Sequence, residues 1–294
     1  MKFLLIGHSV EDHIYYKNKH SIKPGGIYYS TAALQNFKDE DDEIYLCTSY
    51  KKDNALFTDL YEKLMPDYFN FVEIIPEVRL HISDAKEREE IYENITPELF
   101  VDTSDLNKFD GILINMITGY DLTLNQMREI RKNYNGLIYF DVHTFSRGLN
   151  KDMKREFRLI PGFDQWAENI NVLQANSKEI FTLTDYKNKM DIIKFILGRG
   201  VKYLIETRGK NGALCCSIEN SDVKIIEMPA ININVNNQVG LGDVFGAVFF
   251  YSYIKNNSLH IALNDGVTAS GYAASYNNIN DFKYLKNDVL SRHN

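Results

Sequence analysis

The chain has 294 residues, 44% hydrophobic and 25% charged, which suits one large globular α/β domain and argues against a mini-protein or a multi-module array. Its 33 basic and 40 acidic residues give a net charge of −7 with no long basic run, so a nucleic-acid partner is not expected. The apolar run Phe3 to Ile6 is too short for a signal-peptide core, and no run approaches the roughly 18 residues of a membrane span.

Three cysteines without a CxxC pair (Cys47, Cys215, Cys216) point to a reducing compartment, so the expected setting is cytoplasmic with no membrane partner. Short apolar runs bounded by turn residues alternate with helical patterns along the chain. Lys2 to Ile6, Ile44 to Thr48, Gly111 to Ile114, Leu137 to Asp141, Val172 to Ala175 and Tyr203 to Glu206 read as buried strands. Thr123 to Lys132 and Lys189 to Leu197 are amphipathic at helical spacing. The alternation predicts a doubly wound, largely parallel sheet with helices on both faces, in a single domain over 1–294. Two segments break the rhythm. Residues 13–24 and 78–95 mix polar and aromatic residues as half-solvated strands do, and predict a small sheet, either a flap over a site or a surface ribbon.

In a parallel sheet the ligand lies beyond the carboxyl ends of the strands, so polar residues there come first. After the first strand come Gly7 and Asp12, then Pro24-Gly25-Gly26 leading into Ile27-Tyr28-Tyr29-Ser30. Paired glycines before a small-residue helix permit close backbone approach to a ligand, or a tight turn onto a closely packed helix. Asn176 and Glu179 follow a later strand and share one turn; alone they read as a capping box. Thr207-Arg208-Gly209-Lys210-Asn211-Gly212 suits a hairpin, with or without a phosphate in its bend. Gly240-Leu241-Gly242-Asp243 opens a long apolar stretch, Val244 to Ile254. The amides at such a helix start attract anions, and the aspartate reads as a helix cap or a base.

Taken together, these four placements in this order resemble the ribokinase-like (PfkB) family of carbohydrate and nucleoside kinases, from Gly7 to about Tyr276. Asn237 to Phe245 is similar to the family signature D-T-x-G-A-G-D-x-F, matching at Gly240, Gly242, Asp243 and Phe245. Asn237, Gln238 and Leu241 depart from it, and Ser30 stands where most members have Asn. Asn176 and Glu179 match N-x-x-E, and Thr207 to Gly212 matches T-x-G-x-x-G. Asp141 to Arg147 is similar to the D-x-Q-G-F-x-R of a subgroup of sugar kinases.

The resemblance implies ATP-dependent phosphoryl transfer to a hydroxymethyl group of a sugar, polyol or nucleoside. By that resemblance Asp243 is the general base, with an anion hole from the amides of Gly240, Leu241, Gly242 and Asp243. Asp12, Gly25, Gly26, Ser30, Asp141 and Arg147 bind the acceptor. Asn176, Thr207, Gly209, Gly212 and Ala269 bind ATP, and Glu179 organises Mg²⁺ through water. Many members also hold a monovalent cation near the equivalent of 237–239, and Asn237 removes one charge that would favour it. The two ribbon segments correspond to a lid that closes over the sugar and pairs subunits in some members, so a homodimer through the lid is an expectation.

Two other readings compete. The altered stretch 237–241 suits a kinase-like protein that binds ligand with little or no turnover. His8, Glu11, Asp12 and His13 would suit metal-assisted hydrolysis, but successive residues of a strand face opposite ways.

Overall fold

The computed structural model describes residues 1–17, 19–81, 89–95 and 98–293. Its central sheet has eight strands, in the spatial order Asp222–Met228, Ala213–Glu219, Tyr203–Thr207, Val172–Asn176, Leu137–Asp141, Gly111–Asn115, Lys2–Ile6 and Glu43–Cys47. The last six run parallel, and the two at the first edge are antiparallel. From Lys2–Ile6 the chain first builds toward one edge, with Glu43–Cys47, then crosses to the other side at Gly111–Asn115. That reversal is where the carboxyl ends of an open α/β sheet leave a crevice for a ligand.

Each parallel strand is apolar on both faces, and alternate residues divide between two cores. Phe3, Leu5, Leu113, Tyr139 and Ile205 point to one side, with Phe249, Phe250 and Tyr251 from helix Leu241–Asn256. Helices Tyr28–Phe37, Leu259–Ser275 and Leu285–Leu290 share that layer. Leu4, Ile6, Ile112, Ile114, Phe140 and Leu204 point the other way, onto Met127 and Ile130 of helix Leu124–Asn133 and Ile193 and Ile196 of helix Lys189–Leu197. The expected helix after the glycine turn is Leu241–Asn256. It is apolar almost all round because the sheet and two helices enclose it. Helix Leu124–Asn133 starts where its sequence says, with Thr123 and Gln126 forming a capping box. None of the described helices is long and apolar enough to cross a membrane.

The two irregular segments pair with each other. Ser9–Tyr16 lies antiparallel to Lys19–Gly26 and parallel to Glu77–His81, which is antiparallel to Glu89–Glu93. Of the ribbon expected at 78–95, residues 82–88 lie outside the described residues. The side chains of Val10, Asp12, Val78, Leu80, Glu90 and Tyr92 are buried beneath this small sheet. A short hairpin, Arg147–Leu149 with Arg155–Phe157, meets its edge through a bridge between Ile91 and Lys154.

Candidate active site

The sheet's polar centre is a row of three side chains. Asn115, Asp141 and Gln174 end or nearly end adjacent parallel strands, and they are direct register partners. They therefore share one face, the face that receives helix Leu241–Asn256. Asn115 donates from Nδ2 to Oδ1 of Asp243 at 2.6 Å. Gln174 donates from Nε2 to Oδ2 of Asp141 at 2.8 Å and to the Gly242 carbonyl at 3.2 Å, while Tyr139 donates to its Oε1. Asn115 and Gln174 did not emerge from the sequence. The available signal was an amide near the end of a strand otherwise built of Ile, Leu and Val, since buried polar groups are retained where they are hydrogen-bonded.

Gly240 sits at φ +74° and forms the N-cap of the helix without a side chain. A Cβ there would lie 2.4 Å from the Tyr29 ring. The helix thus begins at Leu241, and Asp243 falls in its first turn rather than capping it. The amides of that turn are those a helix leaves without an intrahelical partner. Two hydroxyls brace its carbonyls: Ser270 donates to Leu241 at 3.0 Å and Ser30 to Asp243 at 3.3 Å.

Three adjoining cavities meet at this helix start. The first, about 60 Å³, lies under the small sheet between Asp12, Glu90, His143 and Asp243, with Tyr29, Tyr92 and Ile117 among its walls. The second, about 250 Å³, is bordered by Asp141, Arg147, Asn176, Glu179, Thr207 and the 240–243 turn, and shares Glu90, His143, Gly240 and Asp243 with the first. The third, about 750 Å³, shares Thr207, Leu241 and Gly242 with the second and opens toward Gly209, Lys210, Gly212, Ile231, Val267 and Gly271.

Most of the expected site residues therefore converge. Asp12, Gly26, Gly240 and Asp243 line the first cavity, and Asp141, Arg147, Asn176, Glu179, Thr207, Leu241 and Gly242 the second. Gly209 and Gly212 line the third; Gly212 stands at φ +80°, where a Cβ would strike the Met228 carbonyl. Gly25 lies against the Asp12 carboxylate, with a Cβ position 2.3 Å from Oδ2. Two expectations are displaced. Ser30 is buried behind the helix start, its hydroxyl committed to the Asp243 carbonyl. Ala269 is packed in the core, while its helix neighbours Val267, Ser270 and Gly271 line the third cavity.

Asn176 and Glu179 make the reciprocal bonds of a capping box, 2.8 Å from the Asn176 amide to Glu179 Oε2 and 3.0 Å from the Glu179 amide to Asn176 Oδ1, while both still line the second cavity. Burial pushes the Glu179 carboxyl up from 4.5 to about 7, against the lowering effect of the Asn176 amide. Burial also lifts the Asp141 carboxyl well above its ordinary value, and the nearby charges of Glu179 and Asp243 push the same way. The hydrolytic reading of the first strand's end comes apart. His8 Nδ1 lies 2.9 Å from Ser49 Oγ, and His13 lies 3.8 Å from both Glu11 and Glu77. Asp12 takes the other face of the strand, toward the first cavity.

Residues 144–282 match the model of the pfkB family carbohydrate kinases. That match spans 139 of the chain's 294 residues. No curated protein matches it by sequence. Among solved structures this ribokinase-like chain is similar to Arabidopsis thaliana ribokinase complexed with ribose and ATP, at 14% identity over 98% of both chains, with a TM-score of 0.75. It is similar to the aminoimidazole riboside kinase of Salmonella enterica complexed with aminoimidazole riboside and an ATP analog, at 17% identity over 99% of both chains and a TM-score of 0.73. A pyrophosphate-dependent kinase in the ribokinase family, complexed with a pyrophosphate analog and myo-inositol, gives 16% identity over 99% of both chains and a TM-score of 0.75. At these identities the likeness establishes the ribokinase-like fold, and it does so over nearly the whole chain.

Proposed function

We propose that this chain is an ATP-dependent kinase that moves the γ-phosphoryl group to a hydroxymethyl group of a sugar, polyol or nucleoside. The observation that carries the reading is the position of Asp243. Its carboxylate borders both smaller cavities at the start of helix Leu241–Asn256, with the large cavity beyond. An alcohol is a poor nucleophile near neutral pH, so a carboxylate in reach must take its proton during attack. Asp243 is that base. The first-turn amides of Leu241, Gly242 and Asp243 form the anion hole for the phosphoryl oxygens. Leu241 in place of a small residue leaves this intact, since the donor is the backbone.

The acceptor occupies the first cavity against Asp12 and Gly26 and reaches toward Asp141 and Arg147 where that cavity meets the second. The phosphates lie in the second, beside Asn176 and Thr207, and the nucleoside of ATP fills the third. The donor set of the second cavity fits a hard divalent cation. Glu179 is a buried oxygen donor whose charged form is disfavoured without one. Glu179 would hold Mg²⁺ through water, and the bound ion would neutralise charge on the phosphoryl oxygens. Asn237 carries no charge, which removes one contribution to holding a monovalent cation at 237–239.

The test is a screen of ADP release over sugars, polyols and nucleosides, run in parallel with pyrophosphate as donor, for the native protein and Asp243→Asn. The expected result is ATP-dependent turnover that falls roughly a hundredfold or more in the variant, the scale of a lost general base. Equal turnover in the two proteins removes Asp243 from the mechanism, and phosphorylation from pyrophosphate but not ATP overturns the donor. The departures at Asn237, Gln238 and Leu241 favour the second reading, a silent binding protein. Calorimetric binding of acceptor and ATP without ADP release would establish it.

A further inference from the structure

The start of helix Leu241–Asn256 is gripped from behind. Each of the amides of Leu241, Gly242 and Asp243 belongs to a peptide unit whose carbonyl is that of the preceding residue. In a planar trans peptide the two groups point opposite ways, so a bond that fixes the carbonyl also aims the amide. The Gly240 carbonyl is taken by the helix itself, accepting from the Val244 amide at 3.0 Å. The Leu241 carbonyl accepts from Ser270 Oγ at 3.0 Å, and the Gly242 carbonyl from Gln174 Nε2 at 3.2 Å. Ser30 bonds the Asp243 carbonyl, but that peptide carries the Val244 amide, which is already used inside the helix. Ser270 and Gln174 therefore grip the peptides that present the Gly242 and Asp243 amides.

Gln174 is itself locked. It is only 2% exposed, its Oε1 accepts from Tyr139, and its Nε2 also donates to Asp141 Oδ2 at 2.8 Å. The helix comes this near because residue 246 is glycine: a Cβ there would lie 2.9 Å from Gln174 Oε1. The two braces reach the turn from different elements. Gln174 comes from strand Val172–Asn176 in the wall of the second cavity, Ser270 from helix Leu259–Ser275 in the wall of the third.

Resting on the kinase reading for the anion hole, we infer that Gln174 and Ser270 are the positioning residues of that hole. They act through the backbone. Each fixes the direction of one amide, and its bond to the carbonyl polarises the peptide and strengthens the donor at the other end. Dipoles already aimed at developing charge lower the barrier because they need not reorganise during transfer. Their loss is therefore felt in the chemical step more than in ground-state binding of the nucleotide.

The experiment compares the native protein with Ser270→Ala, Ser270→Thr and Gln174→Met. It measures kcat, the KM for ATP, the Kd for ADP and the tightening of ADP by fluoroaluminate in magnesium buffer. Fluoroaluminate beside ADP mimics the migrating phosphoryl group, so it reads the anion hole where ADP alone does not. In Ser270→Ala and Gln174→Met, kcat and the fluoroaluminate tightening should each fall about tenfold, the scale of slightly misplaced catalytic groups. The KM for ATP and the Kd for ADP should move less than about twofold, since uniform binding is kept. Ser270→Thr keeps the hydroxyl and should stay near the native values. Gln174→Met leaves the Tyr139 hydroxyl without its acceptor, so if it does not fold, the two Ser270 variants decide the matter. An unmoved kcat, a loss confined to KM, a loss of kcat with the tightening intact, or equal losses in Ser270→Thr and Ser270→Ala overturns the inference. Full turnover by the variants sinks this inference and leaves the kinase reading standing. Native protein that turns over no acceptor, yet shows a tightening that the variants lose, sinks the kinase reading and leaves this one. Native protein in which fluoroaluminate does not tighten ADP sinks this one.

Discussion

Asn115 holds Asp243. Its side-chain amide donates to Oδ1 at 2.6 Å from the end of the neighbouring strand, in a buried setting where a carboxylate without partners is costly. The bond ties the candidate base to the sheet rather than to its own helix. Replacing Asn115 with Leu should lower kcat about tenfold to a hundredfold, within the range by which general bases contribute, while the KM for ATP changes little. The decisive measurement is a double-mutant cycle. In the Asp243→Asn background the Asn115→Leu change should add almost nothing, because its effect runs through the carboxylate. Additive losses would make Asn115 a structural residue only.

Glu179 ties stability to pH. Its carboxyl is raised from 4.5 to about 7 by burial, so the folded state holds the proton more tightly than the unfolded chain does. A raised value means the stabilisation is fully present below 4.5 and is lost as pH rises through about 7. In metal-free buffer the native protein should therefore lose stability between about pH 5 and pH 8 relative to Glu179→Gln, which has no such proton to lose. Thermal unfolding of both proteins across that window reads the difference. Parallel curves would mean that the carboxyl does not titrate there.

Gly240 is constrained twice, by φ +74° and by the Tyr29 ring 2.4 Å from where a Cβ would sit. Gly240→Ala should cost about 1–3 kcal/mol of stability, the range for a strained backbone position. Denaturant unfolding measures it. Gly242→Ala provides the contrast, since the nearest atom to a Cβ there, Gln174 Nε2, is 3.6 Å away. If the two variants are equally stable, the turn has more freedom than its geometry allows.

The third cavity gives a direct test of where the nucleoside goes. Gly271 lines it on helix Leu259–Ser275, with the Ile231 side chain opposite. Gly271→Phe forces the Ile231 side chain aside, its Cγ1 being 2.3 Å from where a Cβ would sit, and should raise the KM for ATP about tenfold or more, the scale of losing one or two kcal/mol of apolar contact. Pyrophosphate has no base to place there, so its use would be untouched. An unchanged ATP KM would move the nucleoside elsewhere.

The parallel sheet was legible because each strand is a short apolar run between turn residues, and the strand from Leu137 to Asp141 ends where its sequence says. The antiparallel edge, Ala213–Glu219 and Asp222–Met228, was not read as strands. Its outer member alternates polar and apolar only over Asp222-Val223-Lys224-Ile225 and loses the period at Ile226, too short a run to stand out. At the site the glycine turns announced themselves, since a glycine before a helix is a local signal. Asn115 and Gln174 did not, because their roles arise only when three strands come into register. Ser30 lies buried with its hydroxyl on the Asp243 carbonyl, because position in a motif does not tell which way a buried helix faces.

The bridge between Ile91 and Lys154 is reinforced by the Tyr92 amide bonding to the Met153 carbonyl and by the Arg155 guanidinium lying 3.9 Å from the Tyr92 ring centroid. The hairpin that carries these contacts begins at Arg147, the guanidinium paired with Glu90. Roof and floor of the crevice are thus stitched along one seam, so a displacement of the roof would be carried straight to Arg147 at the border of the second cavity.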